Sequence, residues 1–303
     1  MLFDSSNATL EELEDELFRQ KQVSLSVLRL DTLHPVVSGN KLFKLHYFLS
    51  AAISSGHLPV VTFGGAFSNH LVATAFACRE AGLHCTGIVR GERPEQLSHT
   101  MQYCLSYGME LCFVSRAMYD EKDQPAYLSS LKKKLGECLI IPEGGYHPMG
   151  AKGAARILEL YDTTGYTHIC TAVGTATTLA GLLIGSREGQ QIIGIPVLKG
   201  LKDIGDRIHY LQGYPETGKQ PEIQDQYHFG GYAKKTFELL HFMNSCWVRF
   251  RLPLDFVYTG KMFYGIMDGI RNDHYPPGSR ILCLHTGGLQ GNASLPAGSL
   301  IYH

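Results

Sequence analysis

Short apolar runs recur along the chain: LPVVTF, CTGIV, LCFV, CLII, HICTAV, QIIGIPV and ILCLH. Between them lie stretches whose apolar residues fall three and four apart and which end near Gly82, Gly108 and Gly136. A short uninterrupted apolar run suits a strand buried on both faces, and the intervening period is that of a helix. Parallel strands need crossovers of this kind, so the pattern predicts an α/β protein with mostly parallel sheets covered by helices. Upstream, Thr9 and Glu12 form a capping box, and Leu10, Leu13 and Leu17 predict a short first helix. Val23 to Leu30 alternates like a strand. Leu42, Leu45, Leu49, Ala52 and Ile53 predict a helix that stops at Gly56.

Two Gly- and Pro-containing breaks punctuate this order, SGN before Lys41 and IPEGGYHPMGAKG from Ile141 to Gly153. They predict a small α/β domain (residues 42–145) inserted into a larger one (residues 1–41 and 146–303). The chain's 303 residues suffice for both cores.

Charge narrows the partner. Lys plus Arg (27) balance Asp plus Glu (28) without a long run of either sign, so neither nucleic acid nor a membrane surface is expected and the partner is a small molecule. No apolar stretch approaches membrane-spanning length, and the acidic beginning lacks a basic flank with an apolar core, so a cytoplasmic location is expected. The eight cysteines are dispersed through apolar segments with no Cys-x-x-Cys. Buried reduced thiols are expected, and no metal.

In open parallel sheets ligands sit where strands end and helices begin, because helix N-termini present free N–H groups there. Three such turns stand out. In VVTFGGAFSNHLVATAFA, Gly64 and Gly65 permit a tight turn before Ser68 and Asn69, which either cap the next helix or receive a carboxylate. In HICTAVGTATTLAGLL, Gly174, Thr175, Ala176, Thr177 and Thr178 open an apolar helix. Their N–H groups and hydroxyls make a cup for a phosphate dianion. There is no Walker lysine or G-x-G-x-x-G, which argues against a nucleoside triphosphate or NAD. In SGNKLFKL, Lys41 and Lys44 lie one turn apart. Most lysines are solvated, but an amine buried beside a second cation becomes a good imine former. Near the C-terminus, Tyr258 and Thr259 read as a further strand-to-helix junction, and Thr286 ends the last buried strand.

Taken in order, GNK-x-x-KL, GG-x-x-SNH, GI-VRGE, IP-x-GG, the Thr-rich turn, GGYAK, VYTGK and HTGG resemble the pyridoxal-phosphate enzymes that include 1-aminocyclopropane-1-carboxylate deaminase and D-cysteine desulfhydrase. The resemblance runs from about Arg29 to Gly288. It implies pyridoxal-phosphate fold type II, pyridoxal 5'-phosphate as cofactor, a small amino acid as substrate, and a homodimer. Residue by residue it implies an imine at Lys41, with Lys44 and the Gly174–Thr178 turn at the phosphate, and Asn69 on the phenolic oxygen. Ser68, Asn69 and His70 would face the substrate carboxylate or assist a proton transfer, and Tyr258 and Tyr232 would line the substrate side. Thr259 or Thr286 would meet the pyridine nitrogen. Thr259 stands where the cyclopropane deaminase has glutamate, which favours D-cysteine desulfhydrase-like β-elimination to a 2-oxo acid and ammonia over cyclopropane deamination. A non-catalytic protein that binds cofactor or amino acid is the remaining alternative. Departures include Phe43 in place of an arginine, Phe67 before Ser68, and a short turn before Lys41.

Overall fold

The computed structural model describes residues 4–34, 39–213 and 218–302. The turn at residues 35–38, whose shortness the sequence suggests, lies outside them. Along the chain run β1 (Thr9–Leu13), α1 (Glu16–Lys21), β2 (Ser24–Arg29), α2 (Lys41–Ser54), β3 (Val60–Gly64), α3 (Asn69–Glu80) and β4 (Cys85–Arg90). Then follow α4 (His99–Ser106), β5 (Glu110–Val114), α5 (Arg116–Asp120), α6 (Pro125–Leu135), β6 (Leu139–Ile141), α7 (Pro148–Ala155) and β7 (His168–Val173). The remainder is α8 (Thr177–Gly185), β8 (Gln191–Pro196), α9 (Ile204–Gln212), β9 (Glu222–Ile223), α10 (Phe237–Phe250), α11 (Thr259–Arg271) and β10 (Arg280–His285).

The strands form two sheets. One has the order β1-β2-β10-β7-β8-β9 and is parallel except for the antiparallel β1–β2 pair. The other, β5-β4-β3-β6, is parallel throughout. Most of the apolar runs are thus buried on both faces, whereas LCFV forms the partly exposed edge strand β5. In β10, Ile281 and Cys283 meet α10 and α11 through Met243, Phe263 and Ile266, while Leu282 and Leu284 face the opposite core with Ala154 of α7 and Leu179 and Leu183 of α8. In the second sheet Val60 and Val89 pack under Leu45, Leu49, Leu71 and Val72 of α2 and α3, and Val61, Phe63 and Ile88 meet Tyr119 and Leu131 on the far side. All eight cysteines are free, seven of them buried.

The predicted first helix is misplaced. Thr9–Leu13 is the edge strand β1, paired Thr9 to Arg29 and Leu13 to Leu25, and the helix starts at Glu16 with Asp15 as its cap, accepting from Leu17 N at 2.9 Å. Three-residue spacing of Leu10 and Leu13 mimics a helix. In a strand it sends the two to opposite faces, and each joins a different core. The segment before Tyr258 also differs from expectation. No strand precedes it, since residues 251–258 form an irregular connection after α10.

These elements gather the three turns. The ends of β3 and β7 feed α3 and α8, and β10 ends beside the start of α2: Asn40 N donates to Thr286 O at 3.3 Å. That approach is possible because residue 39 is glycine at φ 91°. A Cβ there would lie 1.9 Å from Thr286 O.

Candidate active site

Lys41 opens α2, and its surroundings follow from that position. Its Nζ donates to Asn40 Oδ1 at 2.8 Å and lies 5.8 Å from the centre of the Tyr258 ring. Asn40, which the sequence reading passed over, also donates through Nδ2 to Thr178 Oγ1 at 2.6 Å, tying the amine to the Thr-rich turn. Burial pushes Lys41 down to about 8, with the charge of Asp255 pulling the other way. Only a neutral amine attacks an aldehyde, so covalent capture of pyridoxal phosphate by cofactor-free protein should speed up with pH and level off above about 8. A solvated lysine, at 10.5, would keep gaining rate to far higher pH. Initial rates from pH 6 to 10 check this; a rate still climbing at pH 10 contradicts it.

Lys44, one turn on, is buried (4% exposed) and has no ion-pair partner among the described residues. Its Nζ contact is to Gly144 O at 3.4 Å. Burial, then the neighbouring charge of Lys41, holds it well below the usual lysine range. Such a buried amine regains its charge only beside an anion. The start of α8 lies on the same cavity, which is lined by Lys41, Lys44, Gly144, Thr175, Tyr258 and Thr286 among others. At that turn Ala176 takes left-handed backbone (φ 66°), and Thr175 Oγ1 meets Thr177 Oγ1 at 2.8 Å. The first turn of a helix leaves its N–H groups without intrahelical partners, so cation and cup together suit a phosphate.

The SNH turn, whose residues are not among those lining this cavity, is partly committed to the fold. Ser68 caps α3, accepting from Leu71 N at 3.3 Å, so the plain cap is realised. Gly64 is required here, because a Cβ would lie 2.6 Å from Ser68 Oγ. Asn69 Oδ1 is buried without a partner among the described residues, an acceptor with no donor facing it. His70 turns inward. Thr62 Oγ1 donates to Ile141 O at 2.9 Å, so at 2.8 Å it must accept from His70 Nε2–H, and the lone pair sits on Nδ1. Burial first, then Lys41 and Lys44, push the imidazole down to about 3, and it stays neutral. At 3% exposed and bonded to β3, His70 braces the turn from beneath.

Asp255 was missed by the sequence reading, although Asp followed by Thr four residues on, at a helix start, is a capping signal. Its Oδ2 accepts from Val257 N and Tyr258 N at 2.9 and 2.8 Å. Its Oδ1 accepts from Thr259 N at 2.8 Å and Thr259 Oγ1 at 2.7 Å. All four partners are donors, which fits an ionised carboxylate, although burial pushes its pKa upward. Thr259 Oγ1 also accepts from Asp255 N at 2.8 Å, so this hydroxyl is used in both directions. Thr286 lines the cavity, and its hydroxyl makes no hydrogen bond among the described residues.

Tyr258 precedes α11, and its ring stands edge-on to Tyr232 at 6.0 Å. Burial and the neighbouring Tyr232 hold its phenol well above the usual range, so it remains protonated. Tyr232 is about half exposed on its loop.

Set on two mostly parallel sheets, a depressed amine beside a helix-start cup suited to a phosphate points to a cofactor-dependent α/β enzyme. Comparison with known proteins carries this further: the pyridoxal-phosphate dependent enzyme family model matches residues 10–287, and the chain belongs to that family. It has fold type II and uses pyridoxal phosphate. Among its relatives, a Pyrococcus abyssi protein provisionally named 1-aminocyclopropane-1-carboxylate deaminase is 32% identical, over 90% of this chain and 87% of the relative. D-cysteine desulfhydrase of Klebsiella pneumoniae is 28% identical, over 92% and 90%. The crystal structure of an ACC deaminase homologue matches with TM-score 0.83 and 29% identity, covering 96% of this chain and 92% of that one. The residues present fit the cofactor. A buried amine near 8, and a second one kept from its charge for want of an anion beside the Thr-rich turn, suit an aldehyde and a phosphate.

Proposed function

We propose that this enzyme eliminates from a small amino acid, acting as a D-cysteine desulfhydrase that yields pyruvate, sulfide and ammonia. In this reading Lys41 bonds to the cofactor's aldehyde carbon, Lys44 and the Gly174–Thr178 turn hold its phosphate, and Asn69 donates to its phenolic oxygen. Bound there, pyridoxal phosphate supplies an electron sink that weakens the bonds at the substrate Cα. The chain's residues do the rest. Ser68 and Asn69 orient the substrate carboxylate at the start of α3, Lys41 Nζ takes the Cα proton once displaced by substrate, and Tyr258 Oη passes a proton to the departing sulfur. Tyr232 shields that side from water. Two domains, residues 1–41 and 146–303 with 42–145 inserted, would enclose the site, and the enzyme would work as a homodimer in the cytoplasm. Among the described residues no helix is long and apolar enough to cross a membrane.

The observation that carries the choice of reaction is the saturation of Thr259 by Asp255. It leaves the neutral hydroxyl of Thr286 as partner for the ring nitrogen, and the residues lining the cavity include no carboxylate to keep that nitrogen protonated. A weaker sink suits expulsion of a good leaving group such as sulfide. Cyclopropane ring opening is the second reading, favoured by the naming of the 30–32% identical relatives. Purified enzyme given D-cysteine should release sulfide and pyruvate together; a 2-oxo acid from 1-aminocyclopropane-1-carboxylate with none from D-cysteine reverses the choice. Tyr258→Phe should still fix cofactor at Lys41 yet lose turnover by roughly 10²-fold. Unchanged turnover removes Tyr258 from the chemistry.

A further inference from the structure

Lys261 is one of the largest fully buried side chains and takes no part in the chemistry above. It sits in the first turn of α11. Its Nζ donates to His228 O at 2.9 Å and to Gly231 O at 2.6 Å, two carbonyls that bracket the segment leading to Tyr232. That segment is conformationally demanding: Phe229, Gly230, Gly231 and Ala233 have φ of 50°, 88°, 115° and 53°, and two of these are not glycine. A chain does not hold such a run of left-handed backbone without external constraint.

The constraint comes from one face of α11. Tyr264, three residues beyond Lys261, packs edge-on to Phe229 at 4.9 Å. Gly265 lets the ring of Tyr227 lie so close that a Cβ would come within 2.7 Å of it, and Asp268 accepts from Tyr227 Oη at 2.7 Å. Positions i, i+3, i+4 and i+7 of the helix therefore form a seat for residues 227–231. Lys261 is the end of the seat nearest the active site, because the same helix begins directly after Tyr258, the residue Tyr232 packs against. Burial brings the amine down to about 8 while the charge of Asp255 supports it, so it is cationic at neutral pH and its two bonds are charge-assisted.

We propose that Lys261 is a positioning residue that clamps the 228–231 segment so that Tyr232 stands against Tyr258 and closes the substrate side of the site. This rests on the reading of Tyr258 as an active-site residue. The clamp acts on substrate capture and leaves cofactor attachment at Lys41 alone.

The test compares wild type, Lys261→Met, Tyr232→Ala and the double variant, all saturated with pyridoxal phosphate. Lys234 and Lys235 are exposed immediately beyond the clamp. Trypsin cleavage at these two residues should accelerate about tenfold or more in Lys261→Met, the loss of two charge-assisted bonds. Borohydride fixation at Lys41 and the thermal midpoint should stay near wild type. On D-cysteine, kcat/KM should fall about tenfold, mostly through KM, and the double variant should be no worse than Tyr232→Ala, because both changes remove one interaction. If Lys261→Met does not fold, Lys261→Gln, which retains donors for the carbonyls, should show the same effects at smaller size. Wild-type cleavage rates in a folded variant, or penalties that add in the double variant, overturn the clamp. Wild type that fixes no cofactor defeats the active-site reading instead, and the cleavage result still decides the clamp.

Discussion

Lys41→Ala should abolish borohydride-fixed pyridoxal phosphate and reduce turnover by roughly 10²–10⁴-fold or more, since in the proposed reading the same amine carries the cofactor and moves the Cα proton. Lys44 is no substitute. It lies a full turn further along α2, its amine contacts Gly144 O, and the proposed reading gives it to the cofactor phosphate. Removing Lys41 also removes the neighbouring charge that helps hold Lys44 down, so Lys44 becomes a more stable cation. The variant should therefore still bind pyridoxal phosphate reversibly, visible by dialysis and absorbance, while failing to fix it. Turnover close to wild type in Lys41→Ala would remove the lysine from the mechanism.

The largest effect on stability should come from Asp255→Asn. The carboxylate takes four donors, three backbone N–H groups and the Thr259 hydroxyl, in a fully buried position. An amide offers one accepting oxygen and turns an N–H toward two of those donors. Unsatisfied buried donors cost about 1–3 kcal/mol each, so a loss of roughly 2–4 kcal/mol and a Tm lower by roughly 5–10 °C are expected. A second readout is independent of stability. The Asp255 charge holds Lys41 up against desolvation, so without it the plateau in capture rate should move below pH 8. A thermal midpoint within 1–2 °C of wild type, about the effect of an ordinary surface change, would mean that the cap is dispensable.

Much of this was legible in the sequence because the signals were local. Buried parallel strands leave apolar runs that need no alternation, and HICTAV and ILCLH fall on β7 and β10 nearly residue for residue. The Gly174–Thr178 turn, Lys41 and Lys44 stood out at helix starts, and the fold brings them onto one cavity. What failed depended on faces and partners. Leu10 and Leu13 gave a helical spacing that a β-strand also satisfies when both sides of its sheet are buried. Thr259 and Thr286 were equivalent as residue types, and only the bonds of Asp255 separate them. His70 read as a group facing ligand, yet its ring is held by Thr62 on β3, a pairing that no spacing along α3 reveals. Lys261, within the VYTGK motif, gave no sign that its amine would be buried against a loop some 30 residues earlier.

The most direct test is to reduce the protein with borohydride after saturation with pyridoxal phosphate and map the modified residue by peptide mass spectrometry. A phosphopyridoxyl group on the peptide containing Lys41, with none on Lys44 or Lys261, is the expected result. Absence of any adduct, or its presence on another lysine with Lys41 unmodified, would contradict the assignment of this site.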